Sequence, residues 1–187
     1  MTINLHEERD PRRYEHLNRT RLEDPQAVFR AASSRKRHPG AVYGNQNFIV
    51  AADHPARGAN KVGDNALAMA DRRDLLDRLQ VALANPAVDG VLASPDILDD
   101  LLLLGALEGK LVFGSMNRGG LSGLINEIDD RFTGHTAQAL EKLGADGGKM
   151  LTRIDLDDTN GRPNEPVHVY RTVGPGAVPE HGLPPHR

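Results

Sequence analysis

An apolar, β-branched run, Phe48-Ile49-Val50-Ala51-Ala52, ends abruptly in Asp53-His54, followed by Pro55 and Gly58. A short apolar run with no polar alternation is the pattern of a parallel strand buried on both faces. Its end delivers polar side chains to the strand's C-terminal edge. Three further runs share this pattern: Val88–Ala93, Lys110–Gly114 and Gly148–Ile154. Helical patterns separate them. Asp71–Asn85 places Leu75, Leu76, Leu79, Ala82 and Leu83 on one face, and Asn85-Pro86 ends it. Ser94-Pro95 opens a helix over Asp96–Leu104, and Gly134–Leu143 is a helix closed by Gly144. Strands alternating with helices predict parallel βαβ units, and right-handed crossovers place every strand's C-terminal end on one side.

Three segments follow from the pattern. Residues 1–46 are polar and Arg-rich. Tyr14, Leu17 and Leu22 suggest one helical face, and Val28, Phe29 and Ala32 a second. Arg35-Lys36-Arg37 is read as a solvated basic turn. This extension is expected to plug or flank a barrel floor. Residues 47–158 carry about four βα units. Residues 159–187 hold six Pro and four Gly, and the only Leu is Leu183. That composition predicts a disordered tail. The abrupt change near Thr159 points to a frameshift or truncation, an authentic disordered tail being the alternative.

Bulk composition excludes several classes. The chain has 187 residues, a net charge of -3 and no Cys. It is too weakly charged overall for a basic nucleic-acid binder, and it has no thiolate chemistry. Four Phe, three Tyr and no Trp argue against base-stacking surfaces. The longest apolar stretch, around Leu101–Leu107, is far short of the ~20 residues that span a bilayer. The N-terminus lacks the charged start and apolar core of a signal peptide. The expectation is a cytoplasmic protein acting on a small molecule, with no nucleic acid, membrane, cofactor or metal, and with self-association as an open alternative.

Asp53 at the end of strand one and Lys149 in Gly144-Ala145-Asp146-Gly147-Gly148-Lys149 together resemble the class I, Schiff-base-forming sugar-phosphate aldolases. That group includes the deoxyribose-phosphate and tagatose-bisphosphate aldolases. The chain looks most like an actinobacterial (β/α)8 aldolase-like branch associated with inositol catabolism. The resemblance covers about Phe48 to Asp158, so it implies the first half of a TIM barrel. A complete barrel typically needs about 250 residues.

The resemblance implies reversible carbon–carbon cleavage of a sugar phosphate or related polyol through a lysine iminium. Asp53 would handle protons and hydroxyls, Lys149 would be an active-site cation, and His54 would contact substrate. The loop Gly114–Gly120 brings Arg118 as a candidate phosphate or carboxylate contact. The iminium-forming lysine lies on strand six in the resembled enzymes, and this chain shows no strand six. A truncated, impaired enzyme is therefore expected. The alternative is a non-catalytic interaction module, or a non-functional fragment that self-associates through open sheet edges. Ser94 and Asp96 read as helix caps, and Asp155, Asp157 and Asp158 as a solvated loop. The histidines at 168, 181 and 186 lack zinc-motif spacing.

Overall fold

The structure, a computed structural model, describes residues 12–39, 46–117 and 133–151. Two helices lead, α1 (Arg12–Glu23) and α2 (Ala27–Ser34). The alternating part follows: β1 (Ile49–Ala52), a 3-10 turn at Pro55–Arg57, α3 (Arg72–Ala84), β2 (Gly90–Ala93), α4 (Pro95–Leu103), β3 (Leu111–Ser115), α5 (Ala137–Leu143) and β4 (Gly147–Lys149). The four strands form one all-parallel sheet in the order β1-β2-β3-β4. The mixed α/β class and the parallel alternation are as the apolar runs predict. Arg118, the tail from 159 and the acidic residues at 155, 157 and 158 lie outside the described residues; the fourth strand, expected over Gly148–Ile154, stops at Lys149, with Met150 and Leu151 already outside it.

Local signals place the helix ends. Asp71 caps α3 by accepting from the Arg73 and Asp74 amides at 2.8 and 3.2 Å. Thr136 caps α5 through the Ala139 amide at 3.1 Å. That cap sets the start of α5 three residues after the predicted Gly134. Gly144 ends α5 in the left-handed conformation, φ 65°. On α3, Leu75, Leu76, Leu79 and Leu83 are buried, while Ala82 sits at the margin.

The sheet's two faces differ. Val91, Ala93 and Val112 are at most 1% exposed and pack with the helix leucines, Leu76, Leu98 and Leu101 among them. Gly114 and Gly148 also turn toward the helices: a Cβ on either would fall within 3 Å of Leu140 on α5. The other face carries Ile49, Ala51, Leu92, Leu111 and Phe113. Of these Ala51 is exposed, Leu111 is buried and the other three are half-buried.

The N-terminal extension flanks the helix layer, with α2 packed on α4 and α5. Tyr14, Leu17, Val28 and Ala32 are buried, but Leu22 is 83% exposed and Phe29 45%. Leu22 stands 140° from Leu17 around the helix, and Phe29 is 100° from Val28, so each leaves the packed stripe.

The expected solvated turn at Arg35-Lys36-Arg37 holds for Lys36 and Arg37, which are exposed, and is corrected at Arg35. Arg35 is only 5% exposed. Its guanidinium donates to the carbonyls of Lys110 (3.1 Å) and Gly144 (2.9 Å) and approaches that of Leu107. Asp146 lies 3.7 Å away. Arg37 also donates to the Gly144 carbonyl. The segment is thus tied to the chain that enters β3 and β4. Burial, and then the neighbouring Arg37, push the Arg35 guanidinium below its usual range. No helix among the described residues is long and apolar enough to cross a membrane.

Candidate functional site

The sheet register aligns Ala52, Ala93, Gly114 and Gly148 across the four strands, and Ser115 with Lys149. The next row therefore contains Asp53, Ser94, Ser115 and Lys149, at the C-terminal edge. Aligned residues of a parallel sheet point to the same face, here the one opposite the helices. Asp53, Ser94 and Ser115 are each at most 6% exposed.

The two ends of this row meet. The Lys149 ammonium donates to Asp53 Oδ2. A flat sheet would hold β1 and β4 about 14 Å apart, with their side chains parallel rather than converging. Contact between them requires the sheet to curl toward this face. Arg57, one turn after Asp53, places its guanidinium 3.7 Å from Asp53 Oδ1. The buried carboxylate therefore sits between two cations.

Asp53 leaves the ladder at the end of β1, which stops at Ala52. His54 begins the 3-10 turn and is partly buried beside Asp53. Its Nε2 lacks a hydrogen-bond partner among the described residues, as do Arg57 Nε and Asn60 Oδ1 in the same loop. Burial, reinforced by Arg57 and opposed by Asp53, holds the His54 imidazole below its ordinary pKa of 6.5. The sequence-predicted pair Asp53 and Lys149 is thus brought together, and His54 stands next to it.

Asn117 was not singled out from sequence. It is 4% exposed. Its carboxamide donates to the Leu151 carbonyl (2.9 Å) and accepts from the Leu151 amide (3.0 Å). With the Met116 amide on the Lys149 carbonyl (2.9 Å), it extends the β3–β4 pairing past the strand ends. The backbone that carries Lys149 is pinned there. A lone Asn after a strand gives no sequence signal for this.

Ser94 and Asp96 need correction. Ser94 occupies the N-cap position of α4, but its hydroxyl makes no capping bond. It donates instead to Asp96 Oδ1 at 2.6 Å. Asp96 is also held by Arg72. Arg72 reaches Asp100 as well, Nε to Oδ2 at 2.9 Å, and Arg21 of α1 contacts Asp100 and Asp99. Asp100 is 2% exposed, a buried carboxylate satisfied by two guanidiniums. Its position within an apolar helical run concealed it. Beside this network a cleft of about 230 Å³ opens between the β1–α3 segment and the start of α4, lined by Pro55, Met69, Leu75, Ser94, Asp96 and Ile97.

His135 lies at the other side of the sheet edge, where its Nδ1 is buried without a partner among the described residues. Burial alone lowers its pKa from 6.5. Both His54 and His135 are therefore neutral-favouring in the fold. For a base whose folded pKa is depressed, stability is full above the unfolded value and falls as pH drops toward the folded one. The melting temperature is expected to decline as the pH falls below 6.5. His135→Gln should flatten that decline in a pH series of thermal melts, and an unchanged slope would refute the assignment to His135. Among the described residues, no group of three or more His, Asp or Glu is arranged to hold a metal ion.

A family model described as Cgl0159-like matches residues 45–165. The crystal structure of Cgl0159 from Corynebacterium glutamicum (Brevibacterium flavum) superposes with a TM-score of 0.74 and 49% sequence identity. The match covers 80% of this chain and 51% of that one, so the chain spans about half the length of that relative. All four strands and the Asp53–Lys149 pair fall inside the matched family region, and the chain belongs to the Cgl0159-like family.

Proposed function

We propose that this chain is the first half of a (β/α)8 barrel of the class I aldolase type. The mouth of such a barrel handles a phosphorylated or polyhydroxylated carbon chain. The parent reaction is reversible carbon–carbon cleavage through a lysine iminium, in the cytoplasm. Inositol catabolism is a setting consistent with that chemistry. The observation that carries the reading is the contact between Asp53 and Lys149 across the C-terminal edge. Barrel enzymes of this type build their sites at that edge. The curl that brings β1 and β4 into contact suits a sheet on its way to closure.

The residues divide the work. Asp53, in contact with an ammonium, is placed to accept and return a proton at a substrate hydroxyl. Lys149 and Arg57 offer positive charge to a phosphate or a developing alkoxide. His54, favoured as the neutral imidazole, is suited to hydrogen-bond a hydroxyl rather than bind an anion. Arg118 joins them as a phosphate contact on the resemblance alone. The nucleophilic amine would come from strand six, beyond the four strands described here. It would condense with the substrate carbonyl, and the iminium would draw off the electron pair of the breaking carbon–carbon bond.

Titration with dihydroxyacetone phosphate, followed by amide and lysine-side-chain NMR shifts, tests the reading. Shifts should centre on residues 53–57 and 149, and Asp53→Asn should weaken binding at least ten-fold. Borohydride reduction of the mixture should leave Lys149 unmodified. Absence of any shift with this and related sugar phosphates would overturn the substrate class. A reduced adduct on Lys149 would reassign it as the nucleophile.

A further inference from the structure

We propose that the cleft of about 230 Å³ beside the end of β2 is a second subsite of the mouth, which takes the uncharged, hydroxyl-bearing end of a substrate with Asp96 as its acceptor. This deepens the reading above and rests on it only for the anionic end of that substrate.

Three observations carry it. The first is position. The register sets Ser94 directly beside Asp53, one residue past the Ala52–Ala93 pair. Neighbouring strands lie about 4.8 Å apart, so the cleft wall begins one strand away from the Asp53–Lys149 contact. Pro55 and Ala56, on the turn that follows Asp53, line the same cleft.

The second is the state of Asp96. Its side chain is half exposed, yet both of its oxygens are held. Ser94, 3% exposed, donates to Oδ1 at 2.6 Å, and Arg72 donates to Oδ2. Arg72 is fixed in turn by Asp100, Nε to Oδ2 at 2.9 Å. Ser94 gives up the N-cap bond open to it at this position, so its hydroxyl serves Asp96 rather than the helix. Burial opposes the charged form of Asp96, but Ser94 and Arg72 outweigh it and hold the carboxyl below its ordinary range. An ionised carboxylate only accepts, with about four sites, more than Ser94, Arg72 and its own amide occupy. Asp96 is therefore a preorganised acceptor with capacity to spare. Ser94 and Arg72 are positioning residues that act through it.

The third is charge. Asp96, Asp99 and Asp100 share one network with Arg21 and Arg72. Three carboxylates against two guanidiniums leave no spare positive charge for a phosphate. Arg72, bound to the other Asp96 oxygen, equally disfavours an ammonium. The balance is reversed at Asp53, a single carboxylate between Lys149 and Arg57. An anionic end is drawn there, and a neutral hydroxyl suits the cleft. Pro55, Met69, Leu75 and Ile97 supply apolar wall for the carbons that carry it. The volume falls below the ~300 Å³ at which pockets for whole drug-sized ligands begin, so the cleft holds one end of a longer molecule.

NMR titration of the 187-residue chain with propylene glycol, and separately with inorganic phosphate, tests this division. The diol should shift the Met69 and Ser94–Ile97 signals and leave Lys149 unmoved. Phosphate should shift residues 53–57 and 149 and leave Ser94–Ile97 unmoved. Asp96→Ala should weaken the diol about ten-fold, as loss of a hydrogen bond to a charged group implies, with phosphate unchanged. Ser94→Ala should weaken the diol less, and Ser94→Thr should restore it. A serine with a purely structural role would instead change both probes alike. Should Asp96→Ala fail to fold, Ala70→Leu replaces it: Ala70 is exposed at the cleft rim, and leucine there should abolish the diol shifts. Diol shifts indifferent to these changes, or phosphate in place of the diol at Ser94–Ile97, would overturn the subsite. Phosphate shifts with no diol shifts would sink the subsite and leave the reading above standing. Diol shifts with no phosphate shifts would keep the subsite and remove the anionic end.

Discussion

Lys149→Met is expected to destabilise the fold by about 2–4 kcal/mol, because it strips the direct partner from a buried carboxylate. The Asp53 side chain is 4% exposed and that of Lys149 30%, so the pair is only partly screened by water. Breaking a fully buried pair typically costs about 3–5 kcal/mol. The lower range allows for the exposure of Lys149 and for Arg57, which remains 3.7 Å from the other carboxylate oxygen. Asp53→Asn should cost less, since an amide needs no counter-charge and still bonds as an acceptor. A double-mutant cycle by urea unfolding gives the coupling, which should exceed about 1 kcal/mol. A coupling near zero would mean that the contact is incidental, and the proposed site would lose its centre. Such a pair, stabilising in itself, also fits a site in which substrate displaces one ion-pair partner.

Arg35→Met should be the most damaging change outside the site, at about 3 kcal/mol. The Lys110 and Gly144 carbonyls lose a donor, the Leu107 carbonyl loses its guanidinium neighbour, and Asp146 loses a cation. Buried acceptors stripped of a donor cost about 1–3 kcal/mol each when no water reaches them. Arg37 still reaches Gly144, which moderates the sum. Arg35→Lys should recover less than half of the loss, because an ammonium is a point donor and cannot span three carbonyls. Equal stability of Arg35→Lys and wild type in chemical denaturation would show that charge alone matters there. The guanidinium binds the N-terminal extension to the chain entering β3 and β4. Its loss should also loosen α1 and α2 first, visible as faster hydrogen exchange in those helices.

The same contrast runs through the molecule. The apolar runs at 48–53, 88–93 and 110–114 determined three strands, because a short apolar run bounded by turn residues needs nothing more than local composition. The Leu75, Leu76, Leu79, Leu83 stripe and its Asp71 cap determined α3 in the same local way. Gly144 marked the end of α5 through backbone geometry, whereas the start expected at Gly134 is set by the Thr136 hydroxyl instead. Asp53 was visible as a polar residue at the end of an apolar run and Lys149 as a lysine inside the fourth run, yet they lie 96 positions apart. Only the register and curl of four paired strands bring their side chains together, and no local pattern encodes that. Arg35 and Asp100 illustrate the reverse case. Composition assigns a charged residue to solvent, but each is buried here because distant groups satisfy it: carbonyls near β3 and β4 for Arg35, and guanidiniums from α1 and α3 for Asp100. Burial of a charge is a property of its partners, and partners are supplied by the tertiary fold.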